Sequence, residues 1–519
     1  MPKNNPNKTY ETIFFMMVLM FFSKISGLVR SSLIASLYGI SSESDIIIAA
    51  SKIPFLFFDM TLGSTIFTVF IPIFNKYIGQ KNKDAAFKFA NNFITIIMIF
   101  TIILSILGII FSKQIINLIV PNFNLEKKIY TTKILSILFP SVIFTSISFV
   151  LAAILQSFGN FTISSIMSLI SNLFIITYLI LFKKKYGLIG VALSMLIGWN
   201  LQFIIQIPSI QKTCFKYKFF FDLKNSAIIE SFKMSYYVLI SSWIQPLCYM
   251  INMRFASKMG EGTVSSFDLS NNIFLIIVGI FSYSVSNFMF PKISKLNFKK
   301  EQEKFSKIVS KFISFILYII SFISSIFLSF PHQIIKIVYA RGNFDEYSSK
   351  ITAISLFYLN FGMIASAVCE ILNKSFYAVK NGIIPMISSI LGIITNFILM
   401  LFFVIFLKLK IIGISLSTAL SIVVSAIYLI FSFHKNIKFF NLQKLILNLT
   451  KIFLCNLITF LIYNFFYFAI EKICSKNFIS LKIILSSTFG LIIYLGLSEI
   501  FKIEEFIEIK RYFRRKIND

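Results

Sequence analysis

The chain has 519 residues, of which 57% are hydrophobic and only 14% are charged, and its formal net charge at pH 7 is +29. Soluble domains are about 45–50% apolar and about 25% charged, so this composition excludes a soluble enzyme, a secreted disulfide scaffold and a disordered chain. Apolar runs of about 20 residues recur, and each is long enough to cross a hydrocarbon core of about 30 Å. The sequence therefore predicts an all-α polytopic membrane protein.

About fourteen spanning segments are predicted, and almost no length is left for a folded domain outside the membrane. The lysines cluster between the apolar runs, which is typical of anchoring on anionic membrane lipids and not of nucleic-acid binding. Alternate loops and both termini carry the larger share of Lys and Arg, so the positive-inside rule predicts that both termini are cytoplasmic. The predicted spans are 10–38, 43–75, 89–112, 129–157, 161–182, 187–209, 226–256, 264–292, 308–330, 349–376, 382–407, 411–433, 446–470 and 478–501.

The first predicted span carries two positive charges inside an apolar run, Lys24 and Arg30. A charged residue in a span costs about 2.5–3.5 kcal/mol on insertion scales, so each is a candidate for function. Helical spacing places both cations with Ser26 and Gly27 on one broad face, where small side chains permit close approach of a ligand or a neighbouring helix. We predict that this face binds substrate; the alternative is that Lys24 snorkels and Arg30 forms a structural pair.

The second span carries Asp45, Lys52 and Asp59, spaced seven residues apart. This spacing places the three on one helix face, about 10 Å apart along the axis, which is too far for direct pairing. They must find partners on other helices or face a water-filled cavity, and Pro54 is expected to kink the helix between them. For Asp45, a solvated helix end is the alternative.

A faint internal repeat relates residues 52–76 to residues 271–295, with Pro72 and Pro291 in equivalent places. The repeat predicts two pseudo-symmetric six-helix bundles, residues 1–218 and 219–440, with the working site at their interface. Residues 441–519 would then add two helices and a basic cytoplasmic tail.

The remaining charges in spans are fewer. Arg254 lies near the end of the seventh predicted span, and Glu370 lies four residues before Lys374 in the tenth. The gating or ion-coupling candidates are Asp59, Arg254 and Glu370.

The chain has no Walker loop, HExxH or GxSxG motif, so no catalytic residue, metal, cofactor or nucleotide is predicted. Transport would run on an ion gradient or on the membrane potential, with the coupling ion unidentified.

Short motifs spread over about residues 1–440 form a distinctive set. They are SKISGLVR at 23–30, YG at 38–39, SD at 44–45, KIP at 52–54, FIP at 70–72, LQ at 201–202, QIP at 206–208, PKIS at 291–294, YARGNF at 339–344 and SFYA at 375–378. This set resembles the MurJ (MviN) family of lipid II flippases in the MOP exporter superfamily, whose members also have 14 helices.

The resemblance implies a monomeric transporter that moves the undecaprenyl-diphosphate-linked peptidoglycan precursor from the inner to the outer leaflet of the inner membrane, for cell-wall biogenesis and cell shape. It implies alternating access to a cationic central cavity, and a lipid-tail groove formed by the last two helices. By position, Lys24 and Arg30 match cavity cations of helix one, Asp45 matches the acid of helix two, and Lys52 matches its cation. Asp45 and Lys52 are therefore expected to bind substrate together with the face of helix one.

The sequence departs from the family pattern at two places. Phe58 and Asp59 stand where the family often has arginines, and Asn271 or Asn272 stands where it often has an arginine early in helix eight. A less cationic cavity is therefore expected.

The alternative functions are a MOP-type exporter of another lipid-linked oligosaccharide or of a small drug, a polyprenyl-diphosphate glycosyltransferase and a non-transporting scaffold. A drug exporter would favour acidic cavity groups, and a transferase would need a catalytic loop.

Overall fold

The structure, a computed structural model, describes residues 6–58, 66–160, 162–182, 185–232, 239, 243–294, 296, 300–379, 381–437, 439–473, 479–507 and 510. Over these residues the chain is helical and contains no strand, as the composition predicts. Asp59 lies outside them. The all-α fold class is confirmed.

The elements follow one another with short connections. They are α1 (Pro6–Tyr38), α2 (Ser42–Phe58), a π-helical segment (Ile66–Phe70), α3 (Ile71–Gly79), α4 (Lys83–Ile110), α5 (Ser112–Ile119), α6 (Leu125–Leu138), α7 (Ser141–Ser157), α8 (Thr162–Phe182), α9 (Gly187–Ile204), α10 (Ile207–Gln211), α11 (Ile244–Ala256), α12 (Thr263–Ser294), α13 (Gln302–Ser329), α14 (Pro331–Tyr339), α15 (Glu346–Asn360), α16 (Met363–Ala378), α17 (Ile383–Met400), a second π-helical segment (Leu401–Phe406), α18 (Lys410–Asn436), α19 (Leu442–Ile473) and α20 (Ile479–Ile500).

Among the described residues, nine helical stretches are long and apolar enough to cross a membrane. A tenth is formed by α15 and α16 together, which are bent by 48° at a short break. A Cβ atom on Gly362, at this break, would lie 3.0 Å from the Cα of Ala419, so glycine allows α18 to approach the bend closely. The multi-pass helical prediction is confirmed, while the number of fourteen spans stays a prediction.

The chain divides into two compact units, residues 1–265 with 341–345 and residues 266–340 with 346–519. The predicted bundles, 1–218 and 219–440, and the C-terminal addition 441–519 are defined by sequence repetition and stay a prediction.

In the first unit α1 packs on α8, α2 on α6, and α4 and α9 on α7. Its core is rich in phenylalanine: the Phe70 ring stacks on Phe74 at 5.2 Å and on Phe89 at 5.3 Å between centroids. Phe58, at the end of α2, is 1% exposed and packs edge-on against Phe149 at 5.0 Å. Phe58 is therefore part of the hydrophobic core of this unit.

In the second unit α17 packs on α18, and α13 packs on α16 and α19. The predicted additional helices are joined to α13 through tyrosines. The Tyr318 hydroxyl donates to the Ser498 Oγ at 3.0 Å, and the Tyr494 hydroxyl donates to the Tyr318 carbonyl at 2.9 Å. Because these phenols are buried with their hydroxyls paired, α20 is firmly seated on α13.

Candidate functional site

The polar face of α1 meets α8 through one buried amide. Asn172 of α8 accepts a hydrogen bond at its Oδ1 from the Arg30 Nη1 at 2.9 Å, and its Nδ2 donates to the Ser26 Oγ at 3.1 Å. The Ser26 hydroxyl in turn donates to the Ser23 carbonyl at 2.8 Å. The neutral amide of Asn172 therefore helps to orient the guanidinium of Arg30.

Gly27 lies beside this network. A Cβ atom at this position would be 3.5 Å from the Asn172 Nδ2, which is an ordinary van der Waals distance. Gly27 thus borders the contact between α1 and α8, and an alanine would fit there. Of the predicted face, the structure joins Ser26, Gly27 and Arg30 around Asn172, and Lys24 lies outside this contact.

Lys24 points in a different direction from Arg30. At about 100° per residue the two side chains are roughly 120° apart around α1. The Lys24 side chain is exposed, next to Phe21 and Ile25, which are 48% and 37% exposed. Within the described part of the chain no hydrogen bond or ion pair to its ammonium group is recorded. Lys24 is therefore a cation that a ligand can reach without first displacing a carboxylate.

The start of α2 is fixed by two serines. The Ser41 backbone N–H donates to the Ser44 Oγ at 2.9 Å, and the Ser44 N–H donates to the Ser41 Oγ at 3.4 Å. This reciprocal cap sets the first turn of the helix. It directs the next residue, Asp45, into the interior, where its side chain is 0% exposed.

Asp45 has three donors around its carboxylate. The Lys127 Nζ lies 2.8 Å from its Oδ2, the Gly262 N–H donates to the same oxygen at 2.9 Å, and the Ser265 N–H donates to Oδ1 at 2.8 Å. Gly262 and Ser265 flank the start of α12, so Asp45 accepts hydrogen bonds from the free N–H groups at that helix terminus. We call Asp45, Lys127, Gly262 and Ser265 the Asp45 cluster.

The sequence analysis does not identify Lys127 as a candidate residue, although its position in a helix is unusual for a cation. It lies in the first turn of α6, two residues after Leu125, and the helix dipole disfavours a cation there. Asn124 caps the same turn by accepting from the Lys127 N–H at 2.8 Å. The ammonium group lies 4.0 Å from the centroid of the Phe123 ring and is 5% exposed. Asp45 is therefore paired with Lys127 and does not form a solvated helix end.

Lys52 lies two turns further along α2. Its side chain is half-buried, and its Nζ lies 5.6 Å from the centroid of the Tyr249 ring on α11. This distance is within the range of a cation–π contact. Pro54 lies inside α2, which continues to Phe58, and the kink expected at Pro54 stays a prediction.

The gating candidates Arg254 and Glu370 also contact other residues of the protein. The Arg254 Nη1 donates to the Leu118 carbonyl at 2.7 Å, near the end of α5, where a cation is favourable. The Glu370 Oε1 lies 3.4 Å from the Lys374 Nζ and accepts from the Ser286 Oγ at 3.2 Å. Both contacts stabilise helix packing, and the gating and ion-coupling roles of Arg254 and Glu370 stay predictions.

The YARGNF motif forms a turn against the end of α1. The Asn343 N–H donates to the Ser36 carbonyl at 2.8 Å, and its Nδ2 donates to the Leu37 carbonyl at 2.7 Å. Gly342 has φ +59°, and a Cβ there would lie 2.4 Å from the Ser36 carbonyl oxygen. The motif therefore requires glycine and satisfies the last carbonyls of α1.

Comparison with known proteins gives one family. The family model "Lipid II flippase MurJ" matches residues 34–485. The "Probable lipid II flippase MurJ" of Buchnera aphidicola subsp. Acyrthosiphon pisum is 28% identical over 401 residues, 76% of this chain and 78% of that protein. The "Lipid II flippase MurJ" of Thermosipho africanus is 28% identical over 414 residues, 79% of this chain and 83% of that protein.

Solved structures agree with the sequence match. "Lipid II flippase MurJ, inward closed conformation" has a TM-score of 0.79 and 26% identity, covering 94% of this chain and 98% of that chain. An inward-facing multidrug resistance MATE family transporter of the MOP superfamily has a TM-score of 0.66 at 12% identity, covering 81% of this chain and 98% of that chain. The second likeness concerns the fold alone.

Proposed function

This chain belongs to the MurJ family of lipid II flippases, and we propose that it moves the undecaprenyl-diphosphate-linked peptidoglycan precursor from the inner to the outer leaflet of the inner membrane. It is a transporter and not an enzyme. The observation that carries the proposal is the family match over residues 34–485, together with the intramembrane cations on α1.

The diphosphate is the part of the substrate that these cations fit. Arginine and lysine donors form charge-assisted hydrogen bonds to phosphate oxygens, which are stronger away from bulk water. Arg30 is oriented by Asn172 through a neutral amide, and Lys24 is exposed. We assign Lys24 and Arg30 to the first contacts with the diphosphate. Lys52, beside Tyr249, adds a third positive charge, and Ser26 and Gly27 line the helix surface between the α1 cations.

For Asp45 the contacts favour a gating role over direct substrate binding. Its carboxylate is saturated by Lys127 and by two backbone N–H groups, so a ligand could reach it only after these are released. Alternating access requires contacts that hold one state and break in another. We propose that the Asp45 cluster holds the start of α12 against α2 in the state seen here.

The energy source proposed is the membrane potential or an ion gradient. A negatively charged diphosphate that moves outward across a membrane with an inside-negative potential gains about 2.3 kcal/mol per charge per 100 mV. The orientation proposed, with both termini cytoplasmic, follows from the distribution of lysines in the loops. Anionic membrane lipids and a monomeric state complete the proposal.

The alternative is a MOP-type exporter of another lipid-linked oligosaccharide or of a small drug. The likeness to a MATE transporter concerns the fold, and the cations of α1 and α2 favour an anionic substrate over a cationic drug.

Depletion of the protein, followed by an assay of precursor accessibility in each leaflet, tests the proposal. We expect the precursor to accumulate in the inner leaflet, with delivery restored by the parent chain and not by Lys24→Glu. Undiminished outward delivery in depleted cells would reject the function. Rescue by Lys24→Glu would reject the role of the cation while leaving the function in place.

A further inference from the structure

An extended segment, residues 215–223, lies along α4 and is held there by two asparagines. The Lys218 N–H donates to the Asn91 Oδ1 at 3.1 Å, and the Asp222 N–H donates to the Asn92 Oδ1 at 2.9 Å. The Asn92 Nδ2 completes the contact by donating to the Asp222 carbonyl at 2.7 Å. The Asn91 and Asn92 side chains therefore form hydrogen bonds with the backbone of the segment, as the backbone of a neighbouring strand would. We call residues 215–223 the strap.

One side of the strap faces α4. Phe215 is 3% exposed, and its ring lies 5.4 Å from that of Phe87 in an edge-on contact. The Tyr217 hydroxyl is 3.0 Å from the Thr95 Oγ1, and the Lys88 Nζ lies 4.8 Å from the centroid of the Phe220 ring. These contacts fix the strap in register on α4.

The strap also presents large, exposed apolar side chains. Phe219 is 70% exposed, Leu223 is 50% exposed and Phe221 is 49% exposed. The exposed lysines Lys216 and Lys218 come directly before them. Aromatic rings next to lysines are typical of elements that lie in a membrane interface, where the rings enter the headgroup level and the ammonium groups meet phosphates.

The hydrogen bonding of the strap's backbone indicates how deep the strap can lie in the membrane. Within the described residues, no backbone hydrogen bond is recorded for Phe219, Phe220 or Phe221. Unpaired peptide groups cost several kcal/mol each in hydrocarbon, so this backbone must lie where water or headgroups can bind it. The contact with α4 agrees, because Asn91 and Asn92 end the polar first turns of that helix and a long apolar run follows from Phe93.

We propose that the strap is an interfacial anchor that binds the surface of a bilayer containing anionic phospholipids. Its apolar side chains enter the boundary between headgroups and acyl chains, and Lys216 and Lys218 bind lipid phosphates. The anchor secures the connection between α10 and the residues before α11 to the membrane. This inference is independent of the transported substrate and of the orientation proposed for the termini.

The experiment uses the full-length chain in lipid vesicles. Trp199 and Trp243 are the natural tryptophans, and both are replaced by Phe so that Phe219→Trp supplies the fluorescent probe. We expect stronger quenching by lipids brominated near the carboxyl end of the acyl chain than by lipids brominated near the methyl end. Ile103→Trp in the same background is the matched control, because Ile103 is 52% exposed and lies about 15 Å beyond Phe93 along α4. The control should show the reverse order of quenching.

The lysines are tested by the same probe. Brominated anionic lipid should quench Phe219→Trp more than brominated zwitterionic lipid at equal mole fraction, and Lys216→Gln with Lys218→Gln should reduce this preference by up to about fivefold per lysine. Lys133→Gln, which removes an exposed lysine of α6, should leave it unchanged. A probe at position 219 that brominated lipids do not quench would overturn the anchor. Equal quenching by both lipid classes in the parent would overturn its lysine contacts with anionic lipid.

Discussion

The α1 cations Lys24 and Arg30 and the Asp45 cluster both place charge in an apolar protein, but the surroundings of these charges differ. The Asp45 carboxylate is fully buried and receives a cation and two backbone N–H groups. Arg30 is held by a neutral amide, and Lys24 is exposed. The buried Asp45 carboxylate stabilises one conformation through its three donors, whereas a cation that is exposed or oriented by an amide is suited to bind an anion.

The largest effect is expected at the Asp45 cluster. Asp45→Ala leaves the Lys127 ammonium group buried without its counter-charge, and breaking a buried pair from one side costs about 3–5 kcal/mol. We expect this loss in the free energy of unfolding, seen as a lower Tm of the detergent-solubilised protein. Combining Asp45→Ala with Lys127→Met should recover part of the loss. A single variant as stable as the parent would contradict the structural role of the cluster.

The next effect is expected at Lys24, where function and stability should separate. Lys24→Gln removes one charge-assisted hydrogen bond to the diphosphate, worth about 1.5–3 kcal/mol, so precursor export should fall roughly 10- to 100-fold. The Tm should stay unchanged because the side chain is exposed. Lys24→Arg is the matched control and should retain export. A fall in Tm without a fall in export would make Lys24 a packing residue.

A smaller effect is expected at Asn172, which tests whether the neutrality of the Arg30 partner matters. Asn172→Leu removes the hydrogen bonds to Arg30 and Ser26 and should lower the free energy of unfolding by about 1–3 kcal/mol. Asn172→Asp keeps an acceptor for Arg30 but adds a negative charge that competes with phosphate. We therefore expect Asn172→Asp to be the more stable of the two variants and still to export poorly, as measured by Tm and by leaflet accessibility. Full export by Asn172→Asp would show that the neutrality of the partner is unimportant.

The sequence predicts the fold class well because the apolar runs are long and the intramembrane charges are few. It also predicts the shared face of Ser26, Gly27 and Arg30 from helical spacing, but it groups Lys24 with them, although Lys24 points about 120° away from Arg30. It does not predict Asn172 as the partner of Arg30, because the two residues are 142 positions apart and only tertiary packing joins them.

The partners of Asp45 could not be predicted from the sequence either. Its helix position indicates a residue near the end of α2, which is compatible with solvent, and nothing in the local pattern reveals the N–H groups of Gly262 and Ser265. The lysine in the first turn of α6 was the one local anomaly, since the dipole disfavours it there. Such an anomaly predicts that a partner exists, but it does not identify the partner.

The smallest effect is expected at Lys52, whose ammonium group contacts the aromatic face of Tyr249. Tyr249→Leu removes the cation–π contact, worth about 0.5–2 kcal/mol, and leaves the Lys52 charge intact. Export should fall by a few-fold at most, while Tyr249→Phe, which keeps the ring, should export like the parent. Lys52→Gln should reduce export more than Tyr249→Leu, because the diphosphate interacts with the charge and the ring only positions it. If Tyr249→Leu proved the more damaging of the two, the ring and not the cation would be the functional group on this face of α2.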